Sequence, residues 1–317
     1  MSTLRIVFFG TPDFAVESVR ALVDSGSDVE AIVTAPDKPS GRGHKMQSPP
    51  MKVFADERGI PCLQPPNLKA PEFIAELKAF KADLQIVVAF RMLPEMVWNM
   101  PELGTYNVHA SLLPDYRGAA PINWAIINGE KKTGVTTFKL KHEIDTGNIL
   151  LQKEVEISDD DNVGTLHDKL MLAGAQVLVE SVEAIGNGSI ELKPQQLTTE
   201  PKHAPKIFKP TCQINWNQPA QKVRDFIRGM SPFPTAYTSI RLPDGTEENW
   251  KVYSANLSDD VAKTSGTIKK LDDSICISCS DKWLEIKVLQ SPGKRKMNSD
   301  EFLRGLRFDI AETRILN

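Results

Sequence analysis

Asn107, His109 and Asp145 are the residues whose types and spacing suit chemistry in this chain. Asn107 and His109 stand two apart in a short apolar run, and in a strand such a pair shares one face. Asp145 opens the run Asp145, Thr146, Gly147 just past a second apolar segment. An imidazole moves protons near neutral pH, and a carboxylate can orient it and favour its charged form. A side-chain amide can donate to an oxyanion. Together the three groups suit transfer of an acyl group to an amine. No Ser or Cys sits in a strained strand-to-helix elbow, so direct transfer without an acyl-enzyme is expected. Each residue also has a plainer reading: Asn at a strand end as a turn or cap residue, His as a structural residue, Asp-Thr-Gly as a turn.

The elements that must position these groups alternate. Arg5–Phe9 reads as a strand that ends in a turn at Gly10, Thr11, Pro12 and Asp13. Helical spacing follows over Phe14–Asp24, then a strand over Val29–Thr34 and helices over Pro50–Arg58 and Pro71–Phe80. Leu84–Phe90 reads as a buried strand and Tyr106–His109 as a short one. Pro121–Asn128 reads as a helix, Val135–Leu140 as a strand, and Thr165–Ile185 as a long amphipathic helix. Such alternation predicts a doubly wound, mostly parallel α/β sheet of Rossmann-like type, in which ligands bind beyond the carboxyl ends of the strands. Residues 186–206 lose periodicity and carry Pro194, Pro201 and Pro205. One helix then covers Ala220–Gly229, and short strands follow at Ala236–Leu242, Trp250–Ala255, Ser265–Lys270, Ile275–Ser278 and Trp283–Leu289. They predict a small OB-like β-barrel with Trp216, Trp250 and Trp283 in its core. The expected division is a catalytic domain over 1–188, a linker over 189–206 and a second domain over 207–317.

Several classes of function fall away. The turn at Gly10 lacks the three glycines of a dinucleotide fingerprint, and no Walker-type Gly-Lys-Ser/Thr is present. No apolar run approaches the length of a membrane span, and no signal-peptide pattern opens the chain, which together predict a cytoplasmic protein. The four cysteines are scattered; Cys276 and Cys279 have zinc-like spacing without a second pair, so no metal is expected. Net charge is -3, but it divides unevenly: residues 201–317 sum to about +5 and the rest to about -8. A mildly basic second half can guide a polyanion.

The runs around the three polar residues are specific. Asn107 and His109, the stretch Ser111, Leu112, Leu113, Pro114, Tyr116, Arg117, Gly118, Ala119, Ala120, Pro121, and Asp145 to Gly147 resemble the signature of the 10-formyltetrahydrofolate-dependent formyltransferases. Three further runs resemble the branch of that family that formylates initiator Met-tRNA. They are Phe9–Ala15, the loop Ala35–Lys45 after the second strand, and Ile227–Tyr237. The resemblance covers nearly the whole chain. It departs at Arg91, where many members carry Gly.

The resemblance implies a reaction and its residues. Asn107, His109 and Asp145 would be catalytic, with Asp145 holding the imidazole. Ser111, Leu112, Leu113 and Pro114, with Phe90, Arg91, Met92 and Leu93, would line the pocket for 10-formyltetrahydrofolate, the formyl-donating co-substrate. Arg42, Lys38 and Lys45 would meet the acceptor stem of initiator Met-tRNA, and the barrel would help to bind tRNA. No metal, membrane or obligate protein partner is implied. The alternative within the family is a formyltransferase for a small amino sugar or nucleotide, which would need neither the basic loop nor a tRNA-binding barrel. Lys294, Arg295 and Lys296 form a basic run with two readings, a phosphate contact or a solvated hairpin tip.

Overall fold

The computed structural model describes residues 4–40, 45–197 and 200–316. The chain divides into two compact units. The first comprises Met1–Gly118, Lys132–Glu156 and His167–His203; the second comprises Ala119–Lys131, Ile157–Leu166 and Ala204–Asn317.

The first unit is built on a seven-stranded sheet. Its strands are β1 (Arg5–Gly10), β2 (Asp28–Val33), β3 (Cys62–Leu63), β4 (Leu84–Val88), β5 (Thr105–His109), β6 (Lys132–Lys139) and β7 (Ile149–Glu156). Their spatial order is β7-β6-β5-β4-β1-β2-β3. The first five in chain order run parallel, and β6 is antiparallel to both its neighbours, β5 and β7. The central strands β1 and β4 are mostly apolar because helices cover both faces of a parallel sheet; every residue of β4 is buried, Gln85 included. Helices α1 (Asp13–Asp24), α2 (Pro50–Arg58) and α3 (Pro71–Ala79) connect the parallel strands, and much of α4 (Val163–Gly186) also packs here.

β5 is the strand where sheet direction changes. It is parallel to β4 and antiparallel to β6, with Asn107 opposite Phe138 and His109 opposite Thr136. Side chains alternate along a strand, so Val108 points away from Asn107 and His109. Val108 meets α4: a Cβ on Gly174 would lie 3.3 Å from its Cγ1. The helix thus fills the face behind the two polar residues and leaves their own face for other contacts.

The second unit holds an antiparallel sheet that curls into a half-barrel. Its main strands are β8 (Ala236–Arg241), β9 (Glu247–Val261), β10 (Ile268–Leu271), β11 (Ser274–Ser278), β12 (Lys282–Gln290) and β13 (Arg314–Leu316), in the order β10-β11-β12-β9-β8-β13. Trp216 and Trp250 are buried in its core with Ile227, Met230 and Phe302. Trp283 departs from expectation: it is half-buried, with the Lys269 ammonium 4.2 Å from its ring centroid. Lys269 lies on the neighbouring strand pair, so the indole serves as a cation platform at the surface.

The helix α5 (Ala220–Met230) carries one of the family-like runs, and the structure gives that run a physical role. Arg228 is buried and donates two hydrogen bonds to Asp225 Oδ1, at 3.2 and 2.7 Å. Its remaining nitrogen donates to the carbonyls of Ser158 and Asp161, at 3.1 and 2.6 Å. A Cβ at Gly229 would lie 2.6 Å from Ile127 Cγ1, so glycine permits the close approach of α5 to the short helix Pro121–Ile127.

Candidate active site

His109 ends β5 and is buried. Its Nε2 lies 2.9 Å from the carbonyl oxygen of Tyr116. A carbonyl only accepts, so Nε2 carries a proton, and Nδ1 has no partner among the described residues. Asn107 is half-buried on the same face, and its amide has no partner among the described residues. Two N–H donors are therefore uncommitted at the carboxyl end of a strand.

Asp145 stands in the left-handed region at φ +54°, which aspartate tolerates better than most residues. Its Oδ2 accepts the N–H of Gly118 at 3.0 Å, and its other oxygen has no partner among the described residues. No hydrogen bond joins Asp145 directly to His109. The two are connected through one short segment instead: Tyr116 offers its carbonyl to the imidazole, and Gly118 offers its N–H to the carboxylate. The turn supplies both partners because Tyr116 and Gly118 adopt φ of +61° and +124°, which aims successive peptide groups in different directions.

The segment 111–114 is held from below by two residues that sequence reasoning missed. The Thr136 hydroxyl, opposite His109 on β6, donates to Ser111 O at 2.6 Å and accepts from Leu113 N–H at 3.1 Å. Gln152 Nε2 donates to Leu113 O and to Thr136 Oγ1, both at 2.9 Å. Ser111 is fully buried and spends its hydroxyl on Asp115 O at 2.6 Å, so it shapes the loop from within. Leu113 is buried as well, whereas Leu112 and Pro114 are half-buried. The apolar run of β6 was the only signal for Thr136; Gln152 had none, and neither lies in a run with a recognisable motif.

The second expected stretch follows β4. Ala89 turns the chain at φ +47°, and Phe90 packs edge-on against Phe9 with centroids 5.7 Å apart. Arg91 is exposed and folds back over Phe90, its guanidinium 5.6 Å from the ring centroid. It donates to Pro66 O at 2.9 Å and also to Pro65 O. Partial desolvation there moves the Arg91 pKa down from its ordinary value. Leu93 is buried and Met92 is 74% exposed, so the two do not face one surface. Arg91, Met92 and Leu93 line a broad concavity of about 930 Å³ with Pro66, Lys69 and Glu95. None of Asn107, His109 and Asp145 lines it. The uncommitted Asn107 donors and the His109 imidazole stand at the end of β5, outside that concavity.

Lys38 is exposed in a two-stranded ribbon, Lys38–Ser40 paired with Lys45–Gln47, where the sequence suggested an irregular loop. Lys45 belongs to that ribbon by its backbone, and Arg42 lies outside the described residues. In the second unit Lys296 sits 4.5 Å from the Tyr253 ring centroid, and Arg295 pairs with Glu301. Cys276 and Cys279 are buried free thiols, and burial pushes Cys279 up to about 12. Among the described residues no group of three His, Cys, Asp or Glu forms a metal-holding cluster.

Comparison with known proteins gives this geometry its class. The family "Formyl transferase" matches residues 4–182, and "Formyl transferase, C-terminal domain" matches residues 206–307. The chain belongs to the formyl transferase family. It is similar to the methionyl-tRNA formyltransferase of Bacteroides thetaiotaomicron, at 52% identity over 314 residues covering 96% of each chain. The methionyl-tRNA formyltransferase of Parabacteroides distasonis is 51% identical over 316 residues, covering 98% of this chain and 97% of its own. Among solved structures, HypX from Aquifex aeolicus in complex with tetrahydrofolic acid has a TM-score of 0.64 at 18% identity. That match covers 100% of this chain and 51% of HypX. The sugar 3N-formyltransferase WlaRD has a TM-score of 0.64 at 17% identity, over 93% of this chain and 100% of its own. At such identities the structural matches speak to the fold.

Proposed function

We infer that this enzyme transfers the formyl group of 10-formyltetrahydrofolate to the α-amino group of methionine on initiator Met-tRNA, a step of translation initiation. The observation that carries this reading is the identity of about half of all residues with methionyl-tRNA formyltransferases along nearly the full length of both chains. The setting is the cytoplasm, where charged initiator tRNA is found. Among the described residues, no helix is long and apolar enough to cross a membrane.

The chain's residues divide the reaction as follows. 10-Formyltetrahydrofolate supplies the formyl group and leaves as tetrahydrofolate. The uncommitted N–H groups of Asn107 donate to the oxygen of the formyl carbon as it gains negative charge. His109 accepts the proton of the attacking amine at Nδ1, while Tyr116 O keeps Nε2–H in place. The resulting imidazolium donates to the oxyanion and then returns the proton towards the leaving nitrogen. Asp145, with one carboxylate oxygen unpartnered among the described residues, favours that imidazolium and orders the water that carries protons. The half-buried Phe90, Leu112 and Pro114 suit the flat, partly apolar ring of a folate. Lys38, Arg42, Lys45 and the second unit meet the tRNA.

The test is an acceptor panel with 10-formyltetrahydrofolate: initiator Met-tRNA, elongator Met-tRNA, free methionine and an amino-sugar nucleotide. Initiator Met-tRNA should give the highest kcat/KM. Faster transfer to the sugar nucleotide would move the assignment to the small-substrate branch.

A further inference from the structure

Gln195 lies between the two family matches, in the stretch whose lost periodicity suggests a passive linker. Its side chain is fully committed. Nε2 donates to Asp145 O at 2.9 Å and to Gly147 O at 2.8 Å. Oε1 accepts from Arg117 Nε at 3.1 Å and from Arg117 Nη2. No other donor among the described residues reaches either of those carbonyls.

These contacts close a ring around Asp145. Its carboxylate is tied to Gly118, Gly118 follows Arg117, Arg117 is tied to Gln195, and Gln195 is tied to the backbone of Asp145 itself. The side chain is delivered by its own backbone: Lys193 pairs with Ile149 at the start of β7 through two hydrogen bonds of 2.8 Å. Asp145 needs such support because a non-glycine residue at positive φ persists only where its surroundings over-determine it.

We propose that Gln195 is a positioning residue for formyl transfer, holding the Asp145–Gly147 turn and, through Arg117, the segment that anchors both His109 and Asp145. The proposal rests on the assignment of Asp145 to the reaction. An amide suits the place because one end must donate twice to carbonyls while the other accepts from a guanidinium. A carboxylate there keeps the bond to Arg117 and loses both donors; a thioether of the same length loses all four bonds.

The experiment measures kcat, KM for initiator Met-tRNA and melting temperature for the wild type, Gln195→Met, Gln195→Glu, Asp145→Ala and the two doubles with Asp145→Ala. Displacing a catalytic group by about 1 Å costs about 10²-fold, so both Gln195 variants should lose about 10–10²-fold in kcat with KM little changed. Each should cost markedly less once Asp145 is Ala than it costs alone, because one of the two groups they position is gone. Wild-type kcat in a folded Gln195→Glu overturns the proposal. So does a full additional loss in the Asp145→Ala background, which would mark an independent structural effect. If Gln195→Met fails to fold, Gln195→Glu decides. Absence of Met-tRNA formylation by the wild type would instead overturn the functional assignment beneath it.

Discussion

Replacing Gly147 with alanine puts a methyl carbon 1.7 Å from the carbonyl oxygen of Lys139 and 3.0 Å from Phe138 Cδ2. That oxygen belongs to the backbone at the end of β6, so no rotamer change removes it. Carbon and carbonyl oxygen sit at about 3.3–3.6 Å in favourable contacts, so the turn must withdraw by roughly 1.6 Å or more. Asp145 lies two residues upstream and moves with it. A displacement of about 1 Å at a reacting centre costs about 10²-fold, so kcat for Met-tRNA formylation should fall at least that far. Overpacking of this kind costs about 1–3 kcal/mol of stability, which lowers Tm by several degrees without unfolding the protein. Steady-state kinetics on initiator Met-tRNA, with melting curves on the same preparation, check both numbers. A folded Gly147→Ala enzyme with wild-type kcat would refute the argument that the close approach to Lys139 sets the position of Asp145.

Other expectations follow from the same geometry. Arg228→Ala leaves the buried Asp225 carboxylate with only the Gln221 amide, and two carbonyls unpaired, so it should destabilise the protein by about 3 kcal/mol in chemical denaturation. Arg42→Ala and Arg42→Lys should both lower kcat/KM for initiator Met-tRNA, Ala more, with folate affinity unchanged, since an ammonium cannot reproduce a planar two-pronged contact; equal values for all three proteins would remove the loop from recognition. Cys279 is held protonated by burial to about 12, so iodoacetamide at pH 8.5 should label it only after denaturation, as read by mass spectrometry. The unfolded thiol ionises near pH 8.5, so the stability contributed by its burial is present below that pH and lost as pH rises towards 12. Cys279→Ala should therefore flatten the alkaline fall in stability.

Much of the scaffold is written in local patterns. The mostly apolar runs of β1 and β4 and the helical spacing of Pro50–Arg58 mark their elements to within a residue or two. The Asn107–His109 spacing places both side chains on one face before any coordinates are known. The pattern fails where burial is one-sided or absent. β7 is largely exposed on alternate residues and rich in charge, and it reads as no strand in isolation. β9 extends to Val261, well past the apolar stretch Trp250–Ala255, because cross-strand pairing with β12 carries its exposed end. The direct Asp145–imidazole contact that residue types suggest is replaced by two backbone groups of one turn, and backbone partners leave no trace in side-chain identity. Gln195 and Thr136 are invisible for a related reason: each acts on a carbonyl tens of residues away, and only folding brings the two together.

The most direct measurement is the single-turnover transfer of isotopically labelled formyl from 10-formyltetrahydrofolate to initiator Met-tRNA by the wild type, His109→Ala and Asn107→Ala. The wild type should place the label in N-formylmethionine. Each variant, folded by its melting curve and still binding folate, should transfer it at least about 10²-fold more slowly, as loss of an oxyanion donor or of the proton acceptor requires. A folded His109→Ala enzyme that transfers the label at the wild-type rate would contradict the placement of the reaction at the end of β5.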